Sequence, residues 1–489
     1  MSELPKGWAT ACVNDIADIN PKQLFDDHLA AGFVPMSHAP TNFRDKLRFD
    51  DRSWGDIKKA YTNFKDGDVI FAKVTPCFEN GKAAFVEGLP NGIGAGSSEF
   101  YVLRPCSEEV SAKYLLALVK SRGFMREGAA NMTGAVGLRR VPRQFVENYP
   151  VLAPPAAEQT RIAQKLDELL AQVDTLKTRI DSIPTLLKRF RQSVLAAAVS
   201  GQLTEEWRAS AVTLGSAHKL HQQLKHSHEA EGGHARGNAS NPTEEAHDLS
   251  PSDLPASWDI AEMRDICVPG RPITYGILKP GPELEEGVPY IRVADFPGNK
   301  LNPANIKKTS PEIDLQFKRA RLIAGDLLLS IRGSVGRLIK IPKTLEGANI
   351  TQDTARLSIS PLVSTTFIYW VLLAESTQRR MKNATRGVAV RGINIGDVRA
   401  IQIPLPPLKE QTEIVRQVEQ LFAFADQLEA KVASAKTRID QLTQSILAKA
   451  FRGELVPQDP NDEPASVLLE RIKAQRAAAP KAKRGQKSA

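Results

Sequence analysis

The sequence predicts the α/β fold class, with two mixed α/β domains separated by a pair of long antiparallel coiled-coil helices in a pseudo-two-fold internal repeat. Three observations predict this architecture. The segment A-P-P-A-A-E-Q-T-R-I at 153–162 recurs as L-P-P-L-K-E-Q-T-E-I at 405–414, an offset of 252 residues. A heptad pattern of apolar residues follows each copy. Short apolar runs typical of strands precede each copy.

The repeat extends on both sides of this motif. At the same offset, S-V-L-A-A-A-V-S-G-Q-L at 193–203 recurs as S-I-L-A-K-A-F-R-G-E-L at 445–455. Upstream, L-P-K-G-W at 4–8 matches L-P-A-S-W at 254–258, and the Gly-Asp pair at 67–68 matches the pair at 325–326. Five further residues, Asn131, Thr133, Val136, Arg139 and Val141, fall on Asn383, Thr385, Val388, Arg391 and Ile393. Each copy therefore has a first part of variable length and a second part of fixed length.

The repeat defines the domain organisation. A chain of 489 residues is too long for a single hydrophobic core. We expect a first domain at 1–152, a first spacer helix region at 153–207, a flexible linker at 208–250, a second domain at 251–404, a second spacer helix region at 405–456 and a C-terminal tail at 457–489.

The spacer helices are predicted from apolar residues that step by alternating four and three positions. The expected interface between the two helices comprises Ile162, Leu166, Leu169, Val173 and Leu176 in the first and Ile414, Val418, Leu421, Leu428 and Val432 in the second. Paired prolines at 154–155 and 406–407 keep the chain extended before each helix, and Gly201 and Gly453 occupy C-terminal cap positions. Pro184 predicts a kink in the first helix.

The parts of variable length predict strands and one buried helix each. Apolar runs at 68–73, 83–87 and 99–104 in the first copy, and at 326–332, 337–341 and 355–359 in the second, indicate strands. The segments 113–120 and 365–373 indicate a helix.

Composition limits the class of protein. There are 65 Lys and Arg against 56 Asp and Glu, a formal charge of +9, which suits a polyanionic partner such as nucleic acid. The four cysteines are scattered, so neither a disulfide framework nor a zinc site follows. The N-terminus lacks a basic segment followed by an apolar one, and the longest apolar run, at 367–374, is too short to span a bilayer. We expect a cytoplasmic protein without a membrane partner.

No catalytic residue is predicted. Gly81-Lys82 is followed by Ala and lacks the upstream Gly of a phosphate-binding loop. The Asn-Pro pairs at 20–21 and 302–303 depart at the next residue from the N-P-P of amino-methyltransferases. Asp68 with E-N-G-K at 79–82 approaches a metal-dependent nuclease, but the spacing is one residue too long, so a turn at the start of a strand is favoured.

The histidines of the linker leave two interpretations open. His218, His221, His226 and His228 could bind a metal, but no cysteine or carboxylate cluster accompanies them, so a solvated tract is favoured and no metal site is predicted. The basic C-terminal tail could contact phosphate, although a solvated charged segment is again favoured.

Two loops carry side chains suited to DNA recognition. Lys73, Thr75, Asn80 and Lys82 follow a strand in the first copy. Arg332, Ser334 and Arg337 follow the matching strand in the second copy, with Asn349 and Gln352 close behind. Arg pairs with guanine and Asn or Gln with adenine in the major groove, whereas Lys usually contacts phosphate. We expect these nine residues to bind DNA.

Taken together, the motifs resemble those of type I restriction-modification specificity subunits. The resemblance covers nearly the whole chain: L-P-x-x-W opens each half, G-D-[VL]-[IL] lies within it, P-P-x-x-E-Q-T-x-I precedes each long helix and G-x-L follows it. The ending F-R-G-E-L-V-P-Q-D-P-N-D-E-P-A-S-V-L-L-E-R-I-K at 451–473 is also characteristic.

This resemblance implies two target recognition domains, each recognising one half of a split, asymmetric site in double-stranded DNA. It implies two methyltransferase subunits that modify adenine with S-adenosylmethionine, and two motor-nuclease subunits that use ATP and magnesium. The specificity chain itself would bind no cofactor and catalyse nothing.

Helix length predicts the gap between the half-sites. About 33 helical residues at roughly 1.5 Å each span about 50 Å, which corresponds to on the order of a dozen base pairs of DNA. Two alternatives remain open at this stage. A self-contained DNA-modifying enzyme would be active as the purified chain, and a coiled-coil adaptor would show no salt-dependent affinity for duplex DNA.

Overall fold

The computed structural model describes residues 4–135, 137–211, 215–230, 249–386 and 391–478. These residues form two compact units. Unit 1 comprises 1–182 and 432–489, and unit 2 comprises 183–431. Each unit therefore takes in one mixed α/β domain, the beginning of the long helix that follows this domain, and the end of the other long helix.

Strands and helices are interspersed along the described chain. The strands are β1 (Ala9–Cys12), β2 (Ala17–Ile19), β3 (Ala30–Val34), β4 (Asp50–Ser53), β5 (Thr62–Lys65), β6 (Val69–Ala72), β7 (Ala83–Phe85), β8 (Ile93–Gly96), β9 (Phe100–Pro105), β10 (Thr133–Ala135), β11 (Leu138–Arg140), β12 (Pro150–Ala153), β13 (Asp259–Glu262), β14 (Thr274–Tyr275), β15 (Val288–Ile291), β16 (Lys307–Thr309), β17 (Leu327–Ser330), β18 (Leu338–Lys340), β19 (Asn349–Ile350), β20 (Thr354–Leu357) and β21 (Gln402–Leu405). The α-helices are α1 (Val13–Ile16), α2 (Trp54–Ile57), α3 (Ala112–Val119), α4 (Arg122–Ala130), α5 (Arg143–Glu147), α6 (Ala156–Ser200), α7 (Glu205–Ser210), α8 (Ala217–Ala230), α9 (Pro311–Gln316), α10 (Thr365–Leu373), α11 (Glu375–Asn383), α12 (Ile395–Arg399), α13 (Leu408–Phe451) and α14 (Ala465–Ala478).

Unit 1 contains two four-stranded sheets. One has the order β2-β9-β6-β7 and is antiparallel, and the other has the order β4-β3-β8-β5, in which β3 and β8 run parallel. A two-stranded sheet joins β1 to β12, and β10 and β11 form a separate hairpin. The predicted strands at 68–73, 83–87 and 99–104 are confirmed as β6, β7 and β9.

Unit 2 repeats most of this arrangement. Its sheets have the orders β14-β20-β17-β18 and β16-β15-β19, with β15 and β19 parallel, and β13 pairs with β21 as β1 pairs with β12. The strands predicted at 326–332, 337–341 and 355–359 are confirmed as β17, β18 and β20, and the two predicted helices are α3 and α10. The internal repeat is therefore a repeat of structure as well as of sequence.

The two long helices, α6 and α13, begin directly after their paired prolines and end before Gly201 and Gly453, as predicted. Gly201 and Gly453 have φ angles of +81° and +71°, the left-handed conformation that favours glycine. Helix α6 continues through Pro184, and the kink expected there stays a prediction.

The E-Q pair of the repeated motif fixes the start of each long helix to its domain. In unit 1, Gln159 accepts a hydrogen bond from the backbone amide of Ser111 (3.0 Å) and donates to the carbonyl of Pro154 (3.0 Å). In unit 2, Gln411 accepts from the amide of Ser364 (2.8 Å) and donates to the carbonyl of Pro406 (2.8 Å). Because Ser111 and Ser364 are the N-caps of α3 and α10, the same amide joins the same two elements in both units.

The glutamate before each of these glutamines is buried. The Trp8 indole donates to Glu158 (3.0 Å), which connects the L-P-x-x-W motif to the E-Q motif in unit 1. Burial raises the pKa of Glu158, and the hydrogen bond from Trp8 opposes this shift. In unit 2, Glu410 accepts from the hydroxyl of Thr204 (2.8 Å) and from Arg208.

The glycine after each long helix packs against the proline of an L-P-x-x-W motif. A Cβ atom at Gly201 would lie 2.4 Å from Cγ of Pro255, and one at Gly453 would lie 2.8 Å from Cγ of Pro5. Both distances are too short for a real side chain. The end of each long helix is therefore fitted to the first residues of the domain in its unit.

A short helix covers each domain after this contact. In unit 1, α14 buries Ala465, Leu468 and Ile472, and Arg476 pairs with Asp18 (2.7 Å). In unit 2 the corresponding helix is α8, which buries Ala217, Leu220, His221 and Leu224.

The interpretation of 208–250 as a flexible, solvated linker is therefore wrong for Ala217–Ala230. The apolar spacing of Ala217, Leu220 and Leu224 gives this segment one buried face, although His, Gln and Lys dominate its composition. His221 lies on this face, with Nδ1 3.0 Å from Asp259 Oδ2 and Nε2 3.9 Å from Asp265 Oδ2.

The long helices run antiparallel where they pair in unit 1. Lys177 lies 3.8 Å from Asp440, and Asp181, one turn later, lies 2.6 Å from Lys436, one turn earlier. Of the predicted interface residues, Ile162, Leu166, Val173, Ile414 and Val418 are buried, whereas Leu169, Leu421, Leu428 and Val432 are half-buried. Leu176 is 45% exposed, which corrects its assignment to the interface. In a straight helix, residues seven positions apart are rotated by about 20° relative to each other, so a heptad pattern gradually turns away from the buried face. Leu170 is buried, so the buried face has already shifted before the chain reaches Leu176.

Candidate nucleic-acid interface

The repeated Gly-Asp pair holds the strand that leads into each candidate loop. Gly67 and Gly325 share a φ of +91°. Asp68 accepts two hydrogen bonds from Arg104 (2.8 and 2.7 Å) and one from the amide of Lys65 (2.8 Å). Both carboxylate oxygens of Asp68 are thus engaged in a buried turn at the start of β6. The turn predicted from the sequence is confirmed.

Asp326 occupies the corresponding turn in unit 2. Its carboxylate accepts hydrogen bonds from the amide of Ile323 (2.8 Å), from Arg271 (3.0 Å) and from the hydroxyl of Ser358 (2.6 Å). A buried ion pair therefore fixes the strand before the loop in both units. The arginine lies in β9 in unit 1 (Arg104) and in the segment before β14 in unit 2 (Arg271).

The loop between β6 and β7, residues 73–82, is here called loop A. The Lys73 ammonium lies 5.5 Å from the centre of the Tyr101 ring. The Thr75 hydroxyl donates to the carbonyl of Gly137 (3.2 Å) and accepts from the amide of Arg139 (3.0 Å), so it connects the loop to the β10–β11 hairpin. Asn80 is exposed, and Lys82 donates to the carbonyl of Met36 (2.8 Å).

The loop between β17 and β18, residues 331–337, is here called loop B. Arg332 and Ser334 are exposed, and Arg332 donates to the side-chain oxygen of Gln352 (3.1 Å). The structure therefore brings Arg332 and Gln352 together at the surface. Arg337 is half-buried and donates to the carbonyl of Val293 (3.4 Å).

Lys82 and Arg337 occupy equivalent positions. Each follows a glycine with positive φ, Gly81 (+68°) or Gly336 (+92°), and directly precedes the strand that closes its loop. Each donates to a carbonyl two residues beyond the parallel strand of its unit, Met36 after β3 or Val293 after β15. These two cations therefore brace the base of each loop in the same way.

Asn349 is withdrawn as a candidate for DNA contact. It is fully buried, and its amide donates to Asp314 (2.8 Å) and to the carbonyl of Phe317 (3.2 Å). Its side-chain oxygen accepts from the amide of Ile350 (2.8 Å). The position looked like a loop in sequence, but Asn349 opens β19 inside the unit and no part of its amide faces solvent.

Sequence reasoning missed two basic features of the surface. A cavity of about 460 Å³ in unit 1 is lined by Lys46, Arg48, Lys82 and His38 among other residues. The alternating basic residues of F-R-D-K-L-R at 43–48 were a detectable signal for it. The second feature is the exposed β10–β11 hairpin with Arg139, which loop A contacts.

The described residues contain no group of three His, Cys, Asp or Glu side chains placed to hold a metal ion. Within the same ranges, no helix is both long and apolar enough to cross a lipid bilayer. Asp68 and Asp326, which are buried where the strands that lead into the loops begin, are engaged in ion pairs.

The frame is duplicated and carries a chemically different exposed loop in each copy, an arrangement that suits a protein with two distinct recognition surfaces. Residues 5–185 and 256–435 match the family described as the type I restriction modification DNA specificity domain. The chain belongs to this family and contains two copies of its domain. The resemblance inferred from the motifs is thereby confirmed, and the chain is a specificity subunit of a type I restriction-modification system.

Individual relatives agree with this assignment. The chain is similar to the type I restriction enzyme EcoBI specificity subunit of Escherichia coli, with 36% identity over 368 residues, 73% of this chain and 70% of the relative. It is 30% identical to the EcoKI specificity subunit of Escherichia coli strain K12 over 97% of both chains. Its fold is similar to that of the HsdS subunit from Thermoanaerobacter tengcongensis, with a TM-score of 0.59, 20% identity and coverage of 92% of this chain and 98% of that one.

Proposed function

We propose that this chain directs a type I restriction-modification complex to a bipartite, asymmetric DNA site, with one half-site recognised by each unit. The observation that carries the proposal is the difference between loops A and B within otherwise matching frames. The sheets have corresponding strand orders and the E-Q motifs make the same contacts, yet the loops differ in length and in side chains. Two different loops on one frame suit two different half-sites.

Side chains in and beside the loops supply groups for base recognition. Arg332 and Gln352 present a guanidinium and an amide side by side, the groups that pair with guanine and adenine in the major groove. Ser334 is exposed beside them in loop B, and Asn80 is exposed in loop A. Lys73 and Thr75 have fewer free groups, because Lys73 stacks on Tyr101 and Thr75 bonds to the hairpin.

The partner subunits supply the chemistry. Methyltransferase subunits carrying S-adenosylmethionine and motor-nuclease subunits using ATP and magnesium would assemble with this chain in the cytoplasm, two of each. Exposed apolar side chains on the long helices support docking there. Leu176 and Leu442 in unit 1 are 45% and 42% exposed, and Leu186 and Phe424 in unit 2 are 56% and 55% exposed.

The experiment is to co-express the chain with its methyltransferase subunit in a host that lacks adenine methylation and to sequence modified adenines across the genome. We expect one motif with two specified halves, a constant unspecified gap and a modified adenine in each half. The Arg332→Ala variant should alter one half only. A continuous motif would contradict the proposal, as would a stable complex that leaves all adenines unmodified.

A further inference from the structure

The neighbourhood of the two loops contains parts that differ between the units and parts that are the same. Loop A has ten residues and loop B has seven, and apart from the closing Gly-Lys or Gly-Arg they share no pattern. The segment after α4 and α11 keeps a constant offset of 252 residues and a shared pattern, N-x-T-x-x-V-x-x-R, at 131–139 and 383–391. A difference between units suits selectivity, whereas a shared and exposed side chain outside the structural motifs suits something that both half-sites offer.

The shared segment contacts the loop in the same way in both units. The amide of Thr75 donates to the carbonyl of Arg139 (3.0 Å), and the amide of Gly333 donates to the carbonyl of Arg391 (3.1 Å). Two residues further on, Val141 donates to the carbonyl of Lys73 (2.8 Å) and Ile393 to that of Ile331 (2.9 Å). These hydrogen bonds fix Arg139 and Arg391 at equivalent places beside loops A and B.

Both arginines are exposed at this position. The Arg139 side chain is 45% exposed, and Arg391 is exposed as well. Arg139 pairs with Glu79 of loop A at 3.5 Å, but the glutamate is itself 38% exposed, and a pair so open to solvent is weak enough for another anion to replace it. Glu79 lies in loop A, which differs from loop B, so its ion pair with Arg139 is not part of what the two units share.

The surroundings of Arg139 allow a large anionic partner to approach. Gly134, Ala135 and Gly137 beside it are exposed and present almost no side chain. Phosphates are present in every DNA sequence, and guanidinium groups bind them with directed hydrogen bonds.

We propose that Arg139 and Arg391 are sequence-independent phosphate contacts, one for each half-site, which hold loops A and B against the bases. The inference rests on the proposed function, because it assumes that the loops face DNA. It separates the interface into a shared positioning element and a variable recognition element, and it assigns a residue to the first in each unit.

The test uses the full-length chain in complex with its methyltransferase subunit. Duplex DNA carrying the motif found by sequencing modified adenines is compared with the same duplex scrambled in both halves, over a series of salt concentrations. We expect Arg139→Ala and Arg391→Ala each to weaken binding to both duplexes by about tenfold. The slope of log affinity against log salt should become shallower by about one for each substitution. The modified motif should keep its sequence.

Matched controls are Arg126→Ala and Arg379→Ala, which remove exposed arginines (76% and 70% exposed) from the helices that precede the two shared segments. Equal weakening in the controls would mean that overall charge, not these two positions, governs affinity, and would overturn the inference. Arg139→Lys should recover part of the affinity because it retains the charge.

Other outcomes separate the inference from the proposed function. Wild-type complex that modifies a bipartite motif while the two variants bind DNA normally would overturn the phosphate contact alone. A motif that relaxes in one half would instead make the arginine a base contact. Loss of the methyltransferase subunit from the variants, with DNA affinity of the remaining complex unchanged, would mean that this surface binds protein. Wild-type complex without a bipartite motif would contradict the proposed function itself.

Discussion

Replacing Gly201 by alanine tests the contact between the end of α6 and the start of the second domain. Gly201 has a φ of +81°, which costs an alanine about 1 kcal/mol or somewhat more. The added Cβ would also lie 2.4 Å from Cγ and 2.9 Å from Cδ of Pro255, and overpacking of this kind costs about 1–3 kcal/mol. We therefore expect Gly201→Ala to lower the free energy of unfolding by about 3 kcal/mol.

Unit 2 provides a matched control in Gly325. Its φ is +91°, and a Cβ there would meet no atom within 4 Å, so Gly325→Ala should cost only the backbone part, about 1 kcal/mol. For a unit of this size, thermal unfolding should shift by about 6–12 °C for Gly201→Ala and about 2–4 °C for Gly325→Ala. Differential scanning calorimetry of the full chain measures both.

A second variant identifies the atoms responsible. Pro255→Ala removes Cγ and Cδ, so Gly201→Ala should cost about 1 kcal/mol less in that background than in the wild type. Equal shifts for Gly201→Ala and Gly325→Ala, or costs that add without coupling to Pro255, would refute the reasoning and leave the helix end without a specific fit to the domain.

Three further predictions concern the second unit and the helices. Asp265 and Asp259 raise the pKa of His221, although burial opposes this shift. The protonated histidine therefore stabilises the packing of α8 fully below about pH 6.5, and this stabilisation is lost as the pH rises through the raised pKa. Hydrogen exchange, corrected for intrinsic rates, should show that residues 217–230 are less protected at pH 8 than at pH 6. Residues 465–478, which are held by arginines, should show the same protection at both pH values. Equal behaviour of the two helices would show that His221 is not responsible for the pH dependence. Asn349→Ala should destabilise unit 2 by about 2–3 kcal/mol in chemical unfolding, because Oδ1 of the buried Asp314 carboxylate loses its donor while Arg321 still binds Oδ2. The modified motif should stay intact because the buried Asn349 presents no group to DNA; a changed motif would restore it as a DNA contact. Deleting seven residues from each long helix should change the gap in the modified motif or abolish modification, and an unchanged gap would contradict the role of helix length.

Regular patterns in the sequence predicted most of the fold. The boundaries of α6 and α13 follow from paired prolines at one end and a glycine at the other, both of which act through local backbone geometry. The strands β6 and β17 follow from apolar runs after Gly-Asp turns. These signals are local, so no knowledge of distant residues was needed to interpret them.

The errors arose where burial depends on residues far along the chain. Asn349 is buried because Asp314 and Phe317 complete its hydrogen bonds, and nothing near position 349 indicates those partners. His221 is buried against Asp259, 38 residues away, in a segment whose composition is typical of a solvated tract. The glutamine at 159 or 411 looked like part of a repeated motif, but its task of joining two helix starts became visible only in three dimensions.

The paired hydrogen bonds of Gln159 and Gln411 have a consequence for how new specificities can arise. The side chain of each glutamine makes these hydrogen bonds to backbone groups, an amide at a helix start and a proline carbonyl. The attachment of the domain therefore does not depend on the side chains of loops A and B. A domain exchanged between the L-P-x-x-W and E-Q motifs would be held by the same backbone hydrogen bonds, whichever bases it recognises. Recombination at these two points is therefore expected to replace one half of the target while the long helices are inherited unchanged.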